Sequence, residues 1–594
     1  MRYLAYLTLL LFTLACTSDR APETDGNKGS ETLGKMLTEY NEDRLKLSPM
    51  EATFQGDNRY NDYLPNMLTA DYRDELHRFY QKAADGLDQI NRSSLNTDEK
   101  VSYDVLRWET DINRAALTFR EDLLPLDQFN GFHLMIGQLA SGQSAQPFKT
   151  VEDYDNWLSR TTDFTGMLDT AMVRMQQGVA KGYVLPSSLI AKLQPQLDDM
   201  TKEPLEDHLY YGPIRSLPDD VTGEDRKRLT DSYRTMVQGI TTKFTELAAF
   251  VSEDYAPAGR ASSGISEIPQ GPDYYKHLIK RYTTTEMTAD EIHQLGLKEV
   301  ARLKEEMEKV KTEVGFDGDL KSFFDHVRTK PELSPFDKPE QVIANFNAIH
   351  EKMKPQLAKL FDQTPKTTFE VRRTEAFREA SASAEYNPGS QDGSRPGIFY
   401  VPIPDVENYN IFSDEDLFLH EAIPGHHYQF SLTQENENLP DFRRSLWYSA
   451  YGEGWALYTE SLGKELGLYD DPYQYFGMLS AEMHRAIRLV VDTGLHSKGW
   501  SREKAIQYSL DNEAESEASI IAEIERYMAI PGQALSYKIG QLKIRELRAK
   551  AERELGDKFD IKAFHNLVLS PGCVPLAVLE TMVEEWMVEL VSAN

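Results

Sequence analysis

The chain has 594 residues and a formal net charge of −31, with 65 Lys and Arg against 96 Asp and Glu. That excess of acid excludes nucleic acid as a partner, because phosphate binding needs clustered Lys and Arg. A hydrophobic content of 40%, with 10% aromatic residues, is enough for a large packed core, in one helical enzyme or in several domains.

The chain opens on an export signal. Arg2 supplies the positive end, and residues 4–15 form an apolar run too short to span a bilayer. The run closes on Thr13-Leu14-Ala15-Cys16, which resembles a bacterial lipobox, in which the Cys is lipidated and becomes the mature N-terminus. Cys16 is therefore the expected lipidation site, and residues 1–30 read as lipoprotein signal and linker. The protein is then expected in the periplasm or at the cell surface, tethered to the membrane by its lipid alone; a plain secretory signal is the alternative. Cys573, the only other cysteine, sits in an apolar turn between Pro571 and Pro575 and reads as a buried, inert thiol.

Residues 31–360 read as an N-terminal helical region. Its clearest helix starts at Thr288, which forms a capping box with Glu291. Ile292, Leu295, Val300, Leu303 and Met307 follow helical spacing, and Gly315 closes the run. Residues 361–594 read as the catalytic region. It begins with β-favouring segments at 367–372 and 397–401, separated by a long Gly- and Pro-containing turn over 386–396. From residue 413 the pattern is helical to the end. The expected fold is mainly α, with a small antiparallel sheet next to a metal-binding helix; an edge strand there can hold an extended peptide.

The segment His420-Glu421-Ala422-Ile423-Pro424-Gly425-His426-His427 carries the chemistry. In the zincin motif H-E-x-x-H the two histidines are four apart and share one face of a helix. Here that fifth position is Pro424, which removes a backbone donor and clashes with the preceding turn. Ser413, as N-cap, and the acids that follow start the helix that presents His420. In an unbroken helix His427 would face the same way as His420. It would lie about 10 Å further along the axis, too far to share a metal with bonds of about 2.1 Å. If two residues loop out, His426 takes the place of the second histidine. His420 and His426 are thus the expected metal ligands, with His427 as a residue that supports a ligand or contacts substrate; the reverse choice of His427 as ligand stays open. Glu453, in Gly452-Glu453-Gly454-Trp455, is the expected third ligand. Two His and one Glu suit Zn2+ with an open position for water and substrate. Glu421 is then the general base, and Glu460 is placed to orient a ligand histidine.

These motifs resemble the bacterial family named domain of unknown function 885, grouped with the gluzincin metallopeptidases. The resemblance runs over nearly all of the mature chain. Its specific parts are residues 386–402, 420–427, 453–460 and 531–540; residues 271–275, 283–285 and 291–297 resemble its middle, and residues 48–53 resemble its opening segment only weakly. It implies a mostly helical peptidase fold and a zinc site at His420, His426 and Glu453, with Glu421 as base. Related gluzincins place the second ligand in a Gly-His pair, as Gly425-His426 does here.

Hydrolysis also needs a group that stabilises the oxyanion. Tyr537 and His496 are the candidates. Arg488, Asp492 and His496 recur every four residues along one helix face, where Arg488 and Asp492 can form a salt bridge. Arg395, Arg488 and Arg526 could each clamp a peptide carboxylate. Arg395, in the turn beside the presumed substrate strand, ranks first, and Tyr386 opens the same turn. The expected activity is zinc-dependent hydrolysis of short peptides. The alternatives are a peptide- or protein-binding lipoprotein without catalysis, and a zinc hydrolase of other amides or esters.

Overall fold

The computed structural model describes residues 25–592 except 143, 203, 376–378, 380–381 and 391–394. Cys16 and the expected export signal lie outside the described residues. Helix dominates, and local signals set many helix ends. The helices Thr97–Ala116 and Val151–Lys181 each open on a capping box, Asn96 with Glu99 and Thr150 with Asp153. The elements that position the site are, in chain order, α1 Gly271–Thr283, α2 Ala289–Glu313, β1 Phe369–Arg373, β2 Glu385–Asn387 and β3 Gly397–Val401. They continue with α3 Asp414–Glu421, α4 His426–Glu435, α5 Ser449–Glu460, α6 Pro472–Ser497, α7 Glu517–Ala529 and α8 Ser536–Leu555.

α2 begins at the expected capping box of Thr288 and Glu291. Ile292, Val300, Leu303 and Met307 are buried along its inner face. Gly315 takes φ +72° just beyond its end, and the Phe316 N–H returns to the Lys311 carbonyl, closing the helix as a left-handed glycine does. Apolar side chains gather in two cores. One spans residues 50–258 and centres on the helices Val151–Lys181 and Gly223–Phe250. The other takes side chains from Leu33 to Met587, on both sides of residue 360, and supports the site. In it α2 lies so close to α6 that a Cβ on Gly296 would sit 2.7 Å from Leu489 Cβ. Cys573 is buried here as expected; its Sγ accepts from the Tyr448 N–H at 3.1 Å, and burial pushes the thiol up to about 12. Among the described residues no helix is long and apolar enough to cross a membrane.

The sheet departs from expectation: it is mixed, with strand order β1-β3-β2. β1 runs parallel to β3, Phe369 facing Gly397 and Arg373 facing Val401. A parallel pair cannot be closed by a tight turn, so the chain must cross over between them. The short β2 forms on the way back and pairs antiparallel with β3, Glu385 opposite Tyr400 and Asn387 opposite Ile398. β3 is central and largely buried, as its run of apolar residues requires, whereas β1 and β2 lie at the edges.

Candidate metal centre

α3 starts after Ser413, but the Ser413 side chain makes no cap bond, because its backbone (φ −117°, ψ 11°) is outside the extended region that aims a cap oxygen at the helix. The helix stops at Glu421, one turn before a regular zincin helix would deliver its second histidine. Ala422 (φ −104°, ψ −103°) and Gly425 (φ −77°, ψ −128°) leave helical space on either side of Pro424, and a new helix, α4, begins at His426. The chain folds back onto the end of α3 so tightly that a Cβ on Gly425 would lie 2.0 Å from the His420 carbonyl oxygen and 2.3 Å from that of Leu419. Glycine alone fits there. α5 holds this turn from the other side. Trp455 Nε1 donates to the Pro424 carbonyl at 2.8 Å, and Thr459 Oγ1 donates to the Leu419 carbonyl at 3.0 Å.

The fold-back brings the His420 and His426 rings to 4.8 Å, nearly perpendicular at 86°. Glu453, in the second turn of α5, closes the group. Its Oε2 is 3.7 Å from His420 Nε2 and 3.4 Å from His426 Nε2, and one donor atom from each of the three residues lies within 4.8 Å of the others. Donors about 2.1 Å from a tetrahedral centre stand about 3.4 Å apart. The three residues therefore fit a metal ion between them. Glu460 Oε1 lies 2.6 Å from His420 Nδ1, which leaves Nε2 of that ring to face the group. His427 turns the other way. Its Nδ1 meets the Tyr386 hydroxyl at 2.9 Å and Ser431 Oγ at 3.3 Å, and its ring lies 5.0 Å from Phe369 of β1. Of the two histidines, His426 is the one in the metal-capable group.

Buried acids gather around the two imidazoles. Asp416, Glu421 and Glu460 are buried, and Glu453 is nearly so. Burial works against the His420 imidazolium, but hydrogen bonds to Glu453 and Glu460 override it and raise the ring to about 10. Burial would likewise raise Glu453, yet the charges and hydrogen bonds of His426 and His420 hold it well below the usual carboxylate range. Glu421 is only 8% exposed; burial lifts its carboxyl, and His420, His426 and Arg485 pull it only partly back.

The remaining predicted residues divide. Tyr537, at the start of α8, is half-buried, and burial and the Glu453 charge raise its phenol, so it lies within electrostatic reach of the centre. The Arg488 guanidinium stands 4.5 Å over the Tyr537 ring. Arg488 does not pair with Asp492. Its Nε donates to the Tyr527 hydroxyl at 2.9 Å and its Nη2 to Glu523 Oε2 at 3.0 Å, both on α7. Asp492 instead accepts from the Tyr275 hydroxyl of α1 at 2.6 Å and from the Gly532 N–H, so one helix face serves two different neighbours. His496 is committed to the main chain: Nδ1 accepts from the Ile265 N–H at 2.9 Å, and Nε2 lies 3.0 Å from the Tyr527 carbonyl. Burial lowers the ring to about 3. Arg526 pairs with Glu523 and Gln533. Arg395 is exposed just before β3 and acts electrostatically on Tyr386. Sequence reasoning missed the anchors Trp455 and Thr459 and the buried Asp416. Asp416 precedes His420 by one helical turn, a spacing that was legible.

Comparison with known proteins agrees with this architecture. No curated protein matches significantly. A candidate lipoprotein of Colwellia psychrerythraea, seen in a crystal structure, shares 29% identity, with a TM-score of 0.84 over 95% of this chain and 100% of its own. A candidate lipoprotein of unknown function from Shewanella oneidensis, 19% identical, has the same fold, with a TM-score of 0.71 over 93% of this chain and 99% of its own. Residues 49–583 match the family described as "Bacterial protein of unknown function (DUF885)", so the chain belongs to the DUF885 family.

Proposed function

We propose that this protein is a zinc-dependent peptidase acting on short peptides. The observation that carries the reading is the spacing of the donors, 3.4 and 3.7 Å from Glu453 to the two imidazoles, beside a buried carboxyl, Glu421, that is not one of them. Two imidazoles and one carboxylate suit zinc. Zinc, when bound there, supplies Lewis acidity toward a carbonyl and acidifies water. Glu421 takes the proton from the attacking water and passes it to the leaving amine, a role suited to a carboxyl raised by burial. Tyr537 offers its hydroxyl to the developing oxyanion. A pure binding protein has no use for a base in this position. β2, an edge strand beside α4, favours an extended peptide over other amides and esters, with Tyr386 and Arg395 bordering the substrate. The burial of the ligands favours short chains over folded proteins.

The Cys16 lipobox and the two lipoprotein-like solved relatives support a membrane tether outside the cytoplasm. The test of the activity is metal analysis of the purified protein together with a peptide-library digest by wild type and Glu421→Gln. The expected result is about one zinc per chain in both, with cleavage reduced by about 100-fold or more in the variant. Equal cleavage by both proteins would reject Glu421 as the base, and cleavage of esters alone would move the substrate class.

A further inference from the structure

Beside the metal-capable group runs a row of aromatic rings that takes no part in holding it. Phe430 lies one turn after His426 on α4 and stacks on Trp447, with centroids 5.1 Å apart and planes at 8°. The His426 ring is 6.2 Å from Phe430 and 6.1 Å from Trp447. Tyr386 of β2 continues the row, 6.1 Å from Phe430. The far end of the indole rests on Gly452, the residue before Glu453; a Cβ there would lie 2.0 Å from Trp447 Cη2. The row thus runs from the sheet edge, past one ligand, to the neighbour of another.

Trp447 is nevertheless 41% exposed, whereas Trp157 and Trp455 are fully buried. It is the only tryptophan among the exposed large hydrophobic side chains of the described residues. Indole left in water beside a reacting centre gains from being covered by an apolar group. A flat, stacked pair of rings is best covered by another ring.

We propose that Trp447, with Phe430 and Tyr386, forms a subsite for the aromatic side chain of a peptide residue next to the bond that is cut. This rests on the peptidase reading. The subsite sets specificity by burial and stacking and takes no part in the chemistry.

Binding without turnover tests it. Zinc-loaded Glu421→Gln protein is titrated calorimetrically with two peptides that differ only in Phe or Ala at one position. The Phe peptide is taken from those that wild type cleaves beside Phe. The Phe peptide is expected to bind about tenfold more tightly, and the advantage is expected to fall to about twofold or less when Trp447→Ala is added. Trp447→Leu, which keeps an apolar side chain, retains part of the advantage; melting temperature and zinc content report that each variant is folded. Equal affinities with Trp447 present, or a Phe advantage that survives in folded Trp447→Ala, would overturn the subsite and leave peptide hydrolysis standing. Wild-type cleavage of other peptides but of none beside an aromatic residue would overturn the subsite alone, and cleavage of no peptide at all would overturn both.

Discussion

Glu460 offers the sharpest test of the centre, because it touches one histidine of the metal-capable group without being a member of it. Its Oε1 sits 2.6 Å from His420 Nδ1, and both residues are buried. A hydrogen bond to a charged group contributes about 1.5–3 kcal/mol net, and about 1.4 kcal/mol corresponds to tenfold in affinity. Glu460→Gln keeps a carbonyl oxygen in reach of Nδ1 but removes the charge; Glu460→Leu removes the acceptor. Zinc affinity is therefore expected to fall about tenfold in Gln and toward about 100-fold in Leu. Competition against a chromophoric chelator measures this. Glu460 also helps burial to raise Asp416, and the metal-free protein keeps the Glu460–His420 pair, whose hydrogen bond and charge help to raise the ring. The melting temperature of the metal-free protein should therefore fall in both variants, and the increment gained on adding zinc should shrink as well. Wild-type zinc affinity in both variants, with native melting, would refute the view that Glu460 orients His420.

Gly425→Ala is expected to weaken zinc binding by more than about tenfold, because its methyl group would lie 2.0 Å from a main-chain oxygen that cannot step aside; the same chelator competition checks it. Asp492→Asn probes the far side of α6. Burial raises the Asp492 carboxyl to about 7, so the folded state keeps a proton that the unfolded chain loses from about pH 4 upward. Wild-type stability is thus full below pH 4 and declines toward pH 7, whereas Asn is neutral throughout and still accepts from Tyr275. The melting temperature of Asp492→Asn relative to wild type should rise across that interval, and a flat or falling difference would contradict it. Chelation should abolish hydrolysis and lower the melting temperature, with zinc at about 100 times its Kd restoring about 2.7 kcal/mol.

The metal-capable group was more legible than the sheet beside it. His420, His426 and Glu453 could be picked out because their chemistry is written in residue type, and because Pro424 forbids the regular helix that would have misassigned His427. Glu460 was legible for a similar reason: it follows Glu453 on the same helix by two turns. The sheet was misread because alternating segments at 367–372 and 397–401 carry no record of direction. Strand periodicity fixes faces, whereas parallel or antiparallel pairing depends on the connection, and here β2 hides inside what reads as a turn. The helical series Arg488, Asp492 and His496 invited a salt bridge within one face. Burial on all sides let each residue find a different partner on another segment, which spacing along one helix cannot reveal.

α5 explains how an interrupted motif can still make one centre. It supplies Glu453, the third member of the metal-capable group, and the same helix carries Trp455, Thr459 and Glu460, which hold Pro424, Leu419 and His420 respectively. The turn between α3 and α4 is therefore shaped against the helix that also brings the carboxylate, so errors in the position of the turn and of the ligand are shared rather than independent. α8 packs on the opposite side of α5 at main-chain contact: a Cβ on Gly454 would lie 2.5 Å from Gly540 Cα, and one on Gly540 would lie 1.8 Å from the Ala450 carbonyl. That approach, which only glycine permits, places Tyr537, one turn before Gly540, beside Glu453. The spacing of the metal-capable group and the position of Tyr537 thus depend on one helix–helix contact. A bulky residue at Gly454 or Gly540 should disturb both together, although neither glycine touches a ligand donor atom.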